Sequence, residues 1–562
     1  MLEKVQADRQ AKLDAIRAMG VDPYGWRYDN VEPIPSILKR YEDFAAGKPA
    51  DKEEPMPGPV RAAGRIVLLR DMGKMIFAHL RDAEGQMQIA LRKNAMSEAN
   101  WNLAGLLDLG DVIGVVGPVQ ATRTGETTIW ADEITMLCKG LLPMPEKFHG
   151  LSDIEIRTRQ RYLDLMTNPD SAARFRKRVR IIEHIRRKLN DRNYLEVETP
   201  VLQAIYGGAA ARPFTTHHNT LHCDLFLRIS PELYLKRLLV GGMERVYEFS
   251  RNFRNEGIDA SHNPEFTLLE LYEAYADYNV MMDIAEDVIS TAAAKYAAET
   301  CPDAVRMEAE AKRLDAACES ADQAVAAGKI DAEAAKHANE RRQAEAAELR
   351  KTEAVYRRAA ELVAQGRIAL PYGDTVIDYT TPWRRAKYAD LLQEHAGVKI
   401  DDIPAVREKA RKLGIAEHKM ADAVVINEVF EATAEPSLVQ PTFVCDYPAE
   451  LCPLTRRDPN DPNTALRFEL FIANMEIANA YTELNDPSIQ KETLSKQLHG
   501  EGEETMRVMD EDFVTALMHG MPPAGGMGVG IDRVVMLLTN TASIRDVILF
   551  PLLKPEVVSG SE

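Results

Sequence analysis

Hydrophobic and polar residues alternate in short runs between residues 60 and 140 of this chain. One run covers residues 75–79 and another covers residues 87–91, with a turn at residues 82–85 between them. Alternation with a period of two predicts β-strands, because successive side chains of a strand point to opposite faces of the sheet. Several short strands in so few residues favour a small β-barrel.

The remaining chain is predicted to hold a larger domain with a helical insertion. Pro, Gly and Asp cluster at residues 141–153, which marks a boundary between domains. Apolar residues then recur every three or four positions from Phe175 to Leu189, which predicts a long helix, and residues 194–201 are typical of a strand. A later block rich in Ala, Glu, Lys and Arg predicts an inserted helical hairpin. A solvent-exposed insertion without a binding role is favoured over one that binds a ligand or partner. The predicted parts are a helical segment at 1–58, a barrel at 59–145, and a large domain at 146–562 with an insertion at 303–366.

Composition excludes several classes of protein. No apolar run approaches the roughly twenty residues that a membrane span requires, and the N-terminal residues show no apolar signal region, so we expect no membrane association and a cytoplasmic location. The six cysteines include no CxxC pair, which argues against a disulfide framework or a structural zinc site. The net charge of -18 argues only weakly against a nucleic-acid partner, because an acidic protein can carry a basic face.

The first segment with candidate chemistry covers residues 245–278, where two alternating runs flank a polar loop, as in an antiparallel hairpin. Phe266, Glu270 and Tyr272 share one face of the second strand. Burying the carboxylate among apolar neighbours is costly unless a cation meets it. The partner could be a Lys or Arg of the protein or a cationic ligand, or the face could be exposed to solvent.

Two later segments add carboxylates and glycines. Asn479, Tyr481 and Glu483 stand two residues apart on one strand face, and Glu469 and Glu476 lie upstream of them. Paired carboxylates near a nucleotide suit Mg²⁺, although surface glutamates are the ordinary alternative. The glycine-rich run at 525–530 precedes Asp532 and Arg533; it allows close approach of a ligand but matches neither a Walker A loop nor GxGxxG, so a tightly packed strand remains an alternative.

Three histidines in the sequence THHNTLH lie within reach of one another, namely His217, His218 and His222. Zinc binding is disfavoured, because no further Cys or His lies at a convincing spacing. Hydrogen-bonded structural histidines are the preferred interpretation.

Taken in order, these segments resemble the three signature motifs of class II aminoacyl-tRNA synthetases, and in detail those of the lysine-specific members. The resemblance extends to GGAAARPFTTHHN at 207–219, RISPELYLKRLLVGGMERVYE at 228–248, ELNDP at 483–487 and SIRDVILFPLLKP at 543–555, and it omits only the insertion. It implies an α+β fold: a six-stranded antiparallel catalytic sheet flanked by helices, preceded by an anticodon-binding OB-fold barrel. It also implies a homodimer formed through the helix and strand around residues 175–200.

The resemblance further implies that the protein activates L-lysine with ATP and Mg²⁺ and transfers it to the 3′ end of tRNA(Lys). By correspondence, Arg254 and Arg533 are the catalytic residues. The implied lysine site consists of Gly208, Glu232, Glu270, Tyr272, Asn479, Tyr481 and Glu483, with the side-chain ammonium between Glu270 and Glu483. The implied ATP site consists of Arg254, Glu256, His262, Phe266 and Arg533, and Glu469 and Glu476 would carry Mg²⁺. The implied anticodon contacts are Arg70, Phe77, Gln88 and Glu133.

The sequence departs from the pattern of many bacterial members of this family at several positions, and Tyr481, Ala478 and Ala480 replace Phe and Gly. Ser261 stands where many bacterial members have Arg, which leaves the outer-phosphate contacts to His262 and Arg533. Two other functions also compete with this interpretation. A related enzyme that attaches lysine or β-lysine to a protein would lack the barrel. A catalytically inactive tRNA-binding protein would have no need of Arg254, Arg533 and the acidic pair.

Overall fold

The computed structural model describes residues 2–46, 54–145, 154–209, 211–327, 329–498 and 509–554. The chain divides into two compact units, one ending at residue 154 and the other beginning at residue 155. Within the described ranges, no helix combines the length and the apolar character that a membrane crossing requires. All six cysteines are free.

The first unit is built on a seven-stranded mixed sheet. Its strands are β1 (Val60–Asp71), β2 (Met75–Arg81), β3 (Gln86–Arg92), β4 (Val112–Gly117), β5 (Val119–Ala121), β6 (Thr127–Ala131) and β7 (Glu133–Cys138), and its helices are α1 (Leu2–Ala18), α2 (Ile34–Ala45) and α3 (Glu98–Ala104). The strand order is β5-β6-β3-β2-β1-β4-β7. In β3 the predicted apolar positions Met87, Ile89 and Leu91 are buried. In β2 the predicted positions Phe77 and His79 face outward, and Ile76, Ala78 and Leu80 face the core instead.

The second unit contains the remaining helices and strands. The helices are α4 (Ile154–Arg159), α5 (Arg161–Thr167), α6 (Pro169–Asp191), α7 (Glu232–Val240), α8 (Tyr278–Ala297), α9 (Thr300–Ala326), α10 (Ala332–Ala364), α11 (Tyr388–Ala396), α12 (Ile403–Lys412), α13 (Asp422–Thr433), α14 (Pro487–Leu498), α15 (Glu511–Met518) and α16 (Ile531–Leu538). Short 3-10 helices cover Glu417–Lys419, Glu435–Ser437, Ala449–Leu451 and Ile544–Asp546. The strands are β8 (Leu195–Glu196), β9 (Leu202–Gln203), β10 (Thr215–His218), β11 (Cys223–Leu227), β12 (Arg245–Phe253), β13 (Glu265–Ala274), β14 (Ala369–Tyr372), β15 (Thr375–Asp378), β16 (Arg384–Lys387), β17 (Thr442–Pro448), β18 (Thr464–Ile472), β19 (Met475–Thr482) and β20 (Ala524–Gly530).

The main sheet of this unit has eight strands in the order β16-β17-β18-β19-β20-β13-β12-β8, so the prediction of six antiparallel strands is wrong. The six central strands pair antiparallel, but β8 and β16 add to the two edges in parallel. Both edge strands are short and largely exposed. They therefore lack the alternation of buried and exposed positions from which the central strands could be predicted.

Helices α6 and α8 pack on one side of the sheet through a continuous apolar cluster. Along α6, Ile181, Ile185 and Leu189 are buried, which accounts for the apolar spacing in the sequence. Val179 belongs to the same predicted stripe but is 65% exposed. The inserted block forms an antiparallel pair of helices, α9 and α10, which has a small apolar cluster of its own around Leu314 and Ala346.

Candidate active site

A cavity of about 890 Å³ lies over the central strands of the main sheet. Gly528 and Gly530 of β20 form part of its lining. Gly528 pairs with Glu270 of β13 on one side and with Asn479 of β19 on the other, and Gly526 pairs in the same way with Tyr272 and Tyr481. Because β20 has no side chain at Gly528, a trough runs there between the side chains of Glu270 and Asn479. The space beside Gly526 is occupied by Tyr272 and Glu483.

Glu270 is buried at one end of this trough. Its Oε1 accepts a hydrogen bond of 2.7 Å from Ser230 Oγ, and its Oε2 accepts one of 3.1 Å from the Tyr272 hydroxyl. Burial, followed by repulsion from Glu232, raises the pKa of Glu270 to about 8, and the two hydrogen bonds and Arg254 act in the opposite direction. Such a carboxyl favours a cationic ligand, because a bound positive charge stabilises its ionised form.

Glu232 and Glu483 stand beside Glu270 and share a cation of the protein. The ammonium of Lys236 lies 2.5 Å from Glu232 Oε1 and 2.5 Å from Glu483 Oε2. Glu483 is only 1% exposed and is not among the described residues that line the cavity. Its Oε1 has no hydrogen-bond partner in the described part of the chain. Burial beside Glu232 raises the pKa of Glu483, although Lys236 opposes that rise.

Gly208 closes the same end of the trough at a position that requires glycine. Its φ of +85° lies in the left-handed region, and an added Cβ would stand 2.9 Å from Glu232 Cβ and 3.0 Å from Ser230 Oγ. Ser230 also accepts a hydrogen bond of 3.0 Å from the Glu232 amide, which fixes the first turn of α7. The backbone at Gly208 can therefore approach a ligand closely.

Arg254 and Phe266 lie further along the cavity. The Arg254 guanidinium stands 5.2 Å from the centre of the Phe266 ring, and its Nε is buried with no hydrogen-bond partner among the described residues. An unsatisfied guanidinium donor in a cavity suits an anionic ligand group such as a carboxylate or phosphate. Glu256 lines this region as well, on an exposed part of the loop between β12 and β13.

His262 and Arg533 meet at the outer end. Arg533 Nη2 lies 3.1 Å from His262 Nε2, and the other ring nitrogen of His262 lies 2.8 Å from Asp259. Burial acts to raise the pKa of Asp259, but hydrogen bonds from His262 and from the backbone amides of Ser261 and His262 together lower it to about 2. The Ser261 hydroxyl also bonds Asp259, so Ser261 supports the loop that carries His262.

The two candidate Mg²⁺ ligands occupy neighbouring strands. Glu469 accepts a hydrogen bond of 2.8 Å from the Tyr447 hydroxyl and pairs with Arg467, and Glu476 accepts one of 3.1 Å from Asn479 Nδ2. Burial, which outweighs the attraction of Arg467, raises the pKa of Glu469, and the charge of Glu476 raises it further. No group of three or more potential ligands surrounds a metal position among the described side chains. Two carboxylates fit Mg²⁺ only if nucleotide oxygens and water complete the coordination.

In the first unit, three of the four predicted anticodon contacts lie on adjoining strands. Arg70 pairs with Phe77 across β1 and β2, and Gln88 pairs with His79 across β2 and β3. Gln88 is nearly buried: it donates to Glu126 at 2.7 Å and accepts from Thr128 at 2.8 Å. The fourth contact, Glu133, is exposed on β7, at an edge of the sheet order.

The structure adds residues that the sequence interpretation missed. Lys236 follows Glu232 by four residues on α7, so the spacing already placed both side chains on one helix face. Arg467 precedes Glu469 by two residues on β18 and therefore shares its face. The three exposed histidines form no metal site in the described chain: His217 bonds Asp224, and His218 accepts from the Leu221 amide.

The unit that holds this cavity belongs to the class II aminoacyl-tRNA synthetases. Residues 153–554 match the family model described as tRNA synthetases class II (D, K and N). Residues 60–137 match an OB-fold nucleic acid binding domain. The first unit is therefore an OB-fold domain, and the second is a class II catalytic domain.

Comparison with individual proteins shows which members of this class the chain is similar to. The chain is 43% identical to a lysine–tRNA ligase of Pelotomaculum thermopropionicum, over 99% of this chain and 96% of that protein. It is also 43% identical to the enzyme of the same name from Carboxydothermus hydrogenoformans, over 97% of both chains, and 41% identical to that of Moorella thermoacetica, over 98% of both. The chain belongs to the lysine–tRNA ligase family of class II tRNA synthetases.

Proposed function

We propose that this protein is a lysine–tRNA ligase that forms lysyl-adenylate and pyrophosphate from L-lysine and ATP, and then transfers lysine to the 3′ end of tRNA(Lys). The observation that carries the proposal is the glycine trough with buried carboxylates at one end and unsatisfied arginine donors further along. A ligand with ammonium groups at one end and an anionic centre at the other matches this distribution of charge. The family to which the chain belongs supports the same activity.

The reaction requires no nucleophile from the protein. The carboxylate of lysine attacks the α-phosphorus of ATP, pyrophosphate leaves, and a hydroxyl of the terminal ribose then attacks the carbonyl carbon as AMP leaves. In this proposal Arg254 neutralises the charge that develops between carboxylate and α-phosphate, and Asn479 assists at the carboxylate. Positioning and charge neutralisation therefore supply the catalysis.

The proposed ATP contacts follow the cavity outward from Arg254. Phe266 would stack on the adenine and Glu256 would accept from it. His262 and Arg533 would meet the outer phosphates. Glu469 and Glu476 would hold Mg²⁺, which would supply positive charge to stabilise the phosphate groups.

The proposed lysine contacts occupy the other end. Glu232 and the backbone of Gly208 would bind the α-amino group, and Glu270, Tyr272 and Glu483 would bind the side-chain ammonium, with Tyr481 beside them. A neutral or acidic side chain would leave buried carboxylates without a cation, which costs several kcal/mol in a desolvated site.

We further propose that the protein contacts the tRNA anticodon and a second copy of the chain. Arg70, Phe77, Gln88 and Glu133 would contact the anticodon, where an aromatic ring and polar groups suit unstacked bases. Two copies of the chain would associate through the region around residues 175–200, where Val179 and Leu195 are exposed. A cytoplasmic location stays a prediction.

Pyrophosphate exchange with a panel of amino acids tests this function. With ATP and Mg²⁺ present, L-lysine should support exchange between pyrophosphate and ATP, while arginine, glutamine and glutamate should not. Exchange that is absent with saturating lysine, or equally fast with several amino acids, would contradict the proposal.

A further inference from the structure

Lys236 is a fully buried lysine beside the proposed substrate pocket, and the reaction described above does not use it. Its ammonium bridges Glu232 and Glu483 at 2.5 Å each and lies 6.0 Å from the centre of the Tyr272 ring. Burial acts to lower the pKa of Lys236, but attraction to Glu232 and Glu483 outweighs it and raises that pKa above its ordinary value. Lys236 is therefore charged at neutral pH.

The carboxylates at this end of the cavity can carry more negative charge than the protein's own cation neutralises. Glu232, Glu270 and Glu483 can carry three negative charges, and Lys236 carries one positive charge. Two negative charges remain, and L-lysine brings two ammonium groups. The substrate carboxylate is left to Arg254, whose Nε has no partner among the described residues.

Lys236 also fixes the orientation of the Glu483 carboxylate. Glu483 Oε2 faces Lys236, whereas Oε1 points toward Gly526 of β20. A Cβ added at Gly526 would stand 2.1 Å from this Oε1. Without Lys236, the side chain of Glu483 could turn about its torsions, and Glu232 would lose the contact that holds its own carboxylate.

We propose that Lys236 is a positioning and specificity-determining residue of the lysine pocket. Its ammonium orients Glu232 and Glu483, and it sets the pocket charge to the value that two substrate ammonium groups neutralise. An amino acid with a neutral side chain leaves one of these charges unmatched. This inference rests on the proposed activation of lysine.

Replacing Lys236 by Met tests the inference in the exchange assay. Met has a similar length but no charge, so two buried carboxylates lose their shared cation. The KM for lysine should rise on the order of tenfold or more, while the KM for ATP stays within about twofold, because the loss falls on one end of the cavity.

A second buried lysine provides the matched control. Lys139 has no exposed side-chain surface and bridges Asp108 at 2.6 Å and Asp111 at 2.8 Å in the first unit. The Lys139→Met variant loses the same kind of buried ion pair without touching the cavity. It should lower the thermal stability of the OB-fold domain and leave the KM for lysine unchanged.

Lys236→Arg is a second variant for the case in which Lys236→Met fails to fold. It keeps the positive charge but replaces the compact ammonium by a larger, planar guanidinium. It should still raise the KM for lysine more than the KM for ATP. The inference is overturned if the KM for lysine in the soluble variants matches that of the wild type, or if both KM values rise together. A wild-type protein without lysine-dependent exchange would instead overturn the proposed function.

Discussion

At the scale of single residues, the two glycines of β20 decide what the trough can hold. A Cβ at Gly526 would stand 2.1 Å from Glu483 Oε1 and 2.4 Å from Tyr272 Cε1, which no ordinary packing allows. A Cβ at Gly528 would meet Asn479 Oδ1 at 3.4 Å, an ordinary contact. The two positions are two residues apart on one strand face, so they form a matched pair.

Alanine substitutions at these two glycines should have unequal effects on the use of lysine. Gly526→Ala should displace Glu483 or Tyr272 and lower kcat/KM for lysine on the order of a hundredfold or more, whereas Gly528→Ala should lower it by less than about tenfold. Pyrophosphate exchange at varied lysine concentration measures both. Equal effects of the two substitutions would show that the side chains packed on Gly526 do not form the lysine site.

The buried carboxyl of Glu270 makes the stability of the free protein depend on pH. Its folded-state pKa of about 8 lies above the ordinary value of 4.5. Its contribution to stability is therefore fully present below pH 4.5 and is lost as the pH rises toward 8. The cost of an ionised Glu270 without a bound cation is consequently greatest at about pH 8 and above.

Glu270→Gln should therefore stabilise the ligand-free protein at pH 8 by a few kcal/mol, on the order of the free energy that such a shift represents. The gain should shrink toward zero near pH 5, and the KM for lysine should rise at both values. Urea unfolding at pH 5 and pH 8 measures the difference. The exposed Glu198→Gln serves as the control, and a gain that is absent at pH 8, or equal at both pH values, would refute the explanation.

At the scale of elements, sequence patterns predicted the central strands, predicted the edge strand β8 as a longer strand over residues 194–201, and missed the other edge strand, β16. Strands β12 and β19 alternate between buried and less buried positions over part of their length, whereas residues 269–272 of β13 are all buried. The faces of these strands could be assigned in advance from the period of two alone. Strands β8 and β16 are held by parallel pairing with a neighbour rather than by their own alternation. Tertiary hydrogen bonds of this kind leave no periodic signal in the sequence.

The inserted helix pair is a long element that stands apart from the chemistry. Helix α10 has 33 residues, which gives about 50 Å at about 1.5 Å per residue. None of its described residues lines the cavity. Its base packs on the unit through Val363, while its distal half is held by the cluster of Leu314 and Ala346 and by an ion pair between Asp315 and Arg350.

Removal of the distal part should therefore leave lysine activation intact. Replacing residues 312–348 by a short glycine-rich turn should keep kcat and KM in the exchange assay within about twofold of the wild type, because no cavity residue is moved. Transfer of lysine to tRNA should also be unchanged. A loss of transfer with normal exchange would identify the helix pair as a tRNA contact, and a loss of exchange would contradict its separation from the site.

At the scale of the whole molecule, net charge and composition could not predict the partners, whereas the order of motifs could. A charge of -18 gave no indication of a nucleic-acid substrate. The sequence already indicated Glu232, Glu270 and Glu483 for the lysine site, and the structure adds the buried Lys236, which bridges Glu232 and Glu483. The contact between Lys236 on α7 and Glu483 after β19 joins segments far apart in sequence, so spacing within one segment cannot reveal it.

The proposed homodimer predicts a consequence for exposed apolar residues of α6. Val179 is 65% exposed although it lies on a helix whose other apolar residues face the core. Val179→Glu should shift the protein toward monomer in sedimentation equilibrium, since a buried unpaired charge opposes association. The exposed Val305→Glu on α9 is the control. A wild type that is monomeric at micromolar concentration, or a variant that dimerises as well as the wild type, would refute this interface.

The most direct test of the central claim is the effect of Glu483→Gln on pyrophosphate exchange. If this pocket selects lysine through its carboxylates, the KM for lysine should rise on the order of a hundredfold and the KM for ATP should stay within about twofold. Equal increases in both KM values, or an unchanged KM for lysine, would contradict the assignment of the lysine pocket.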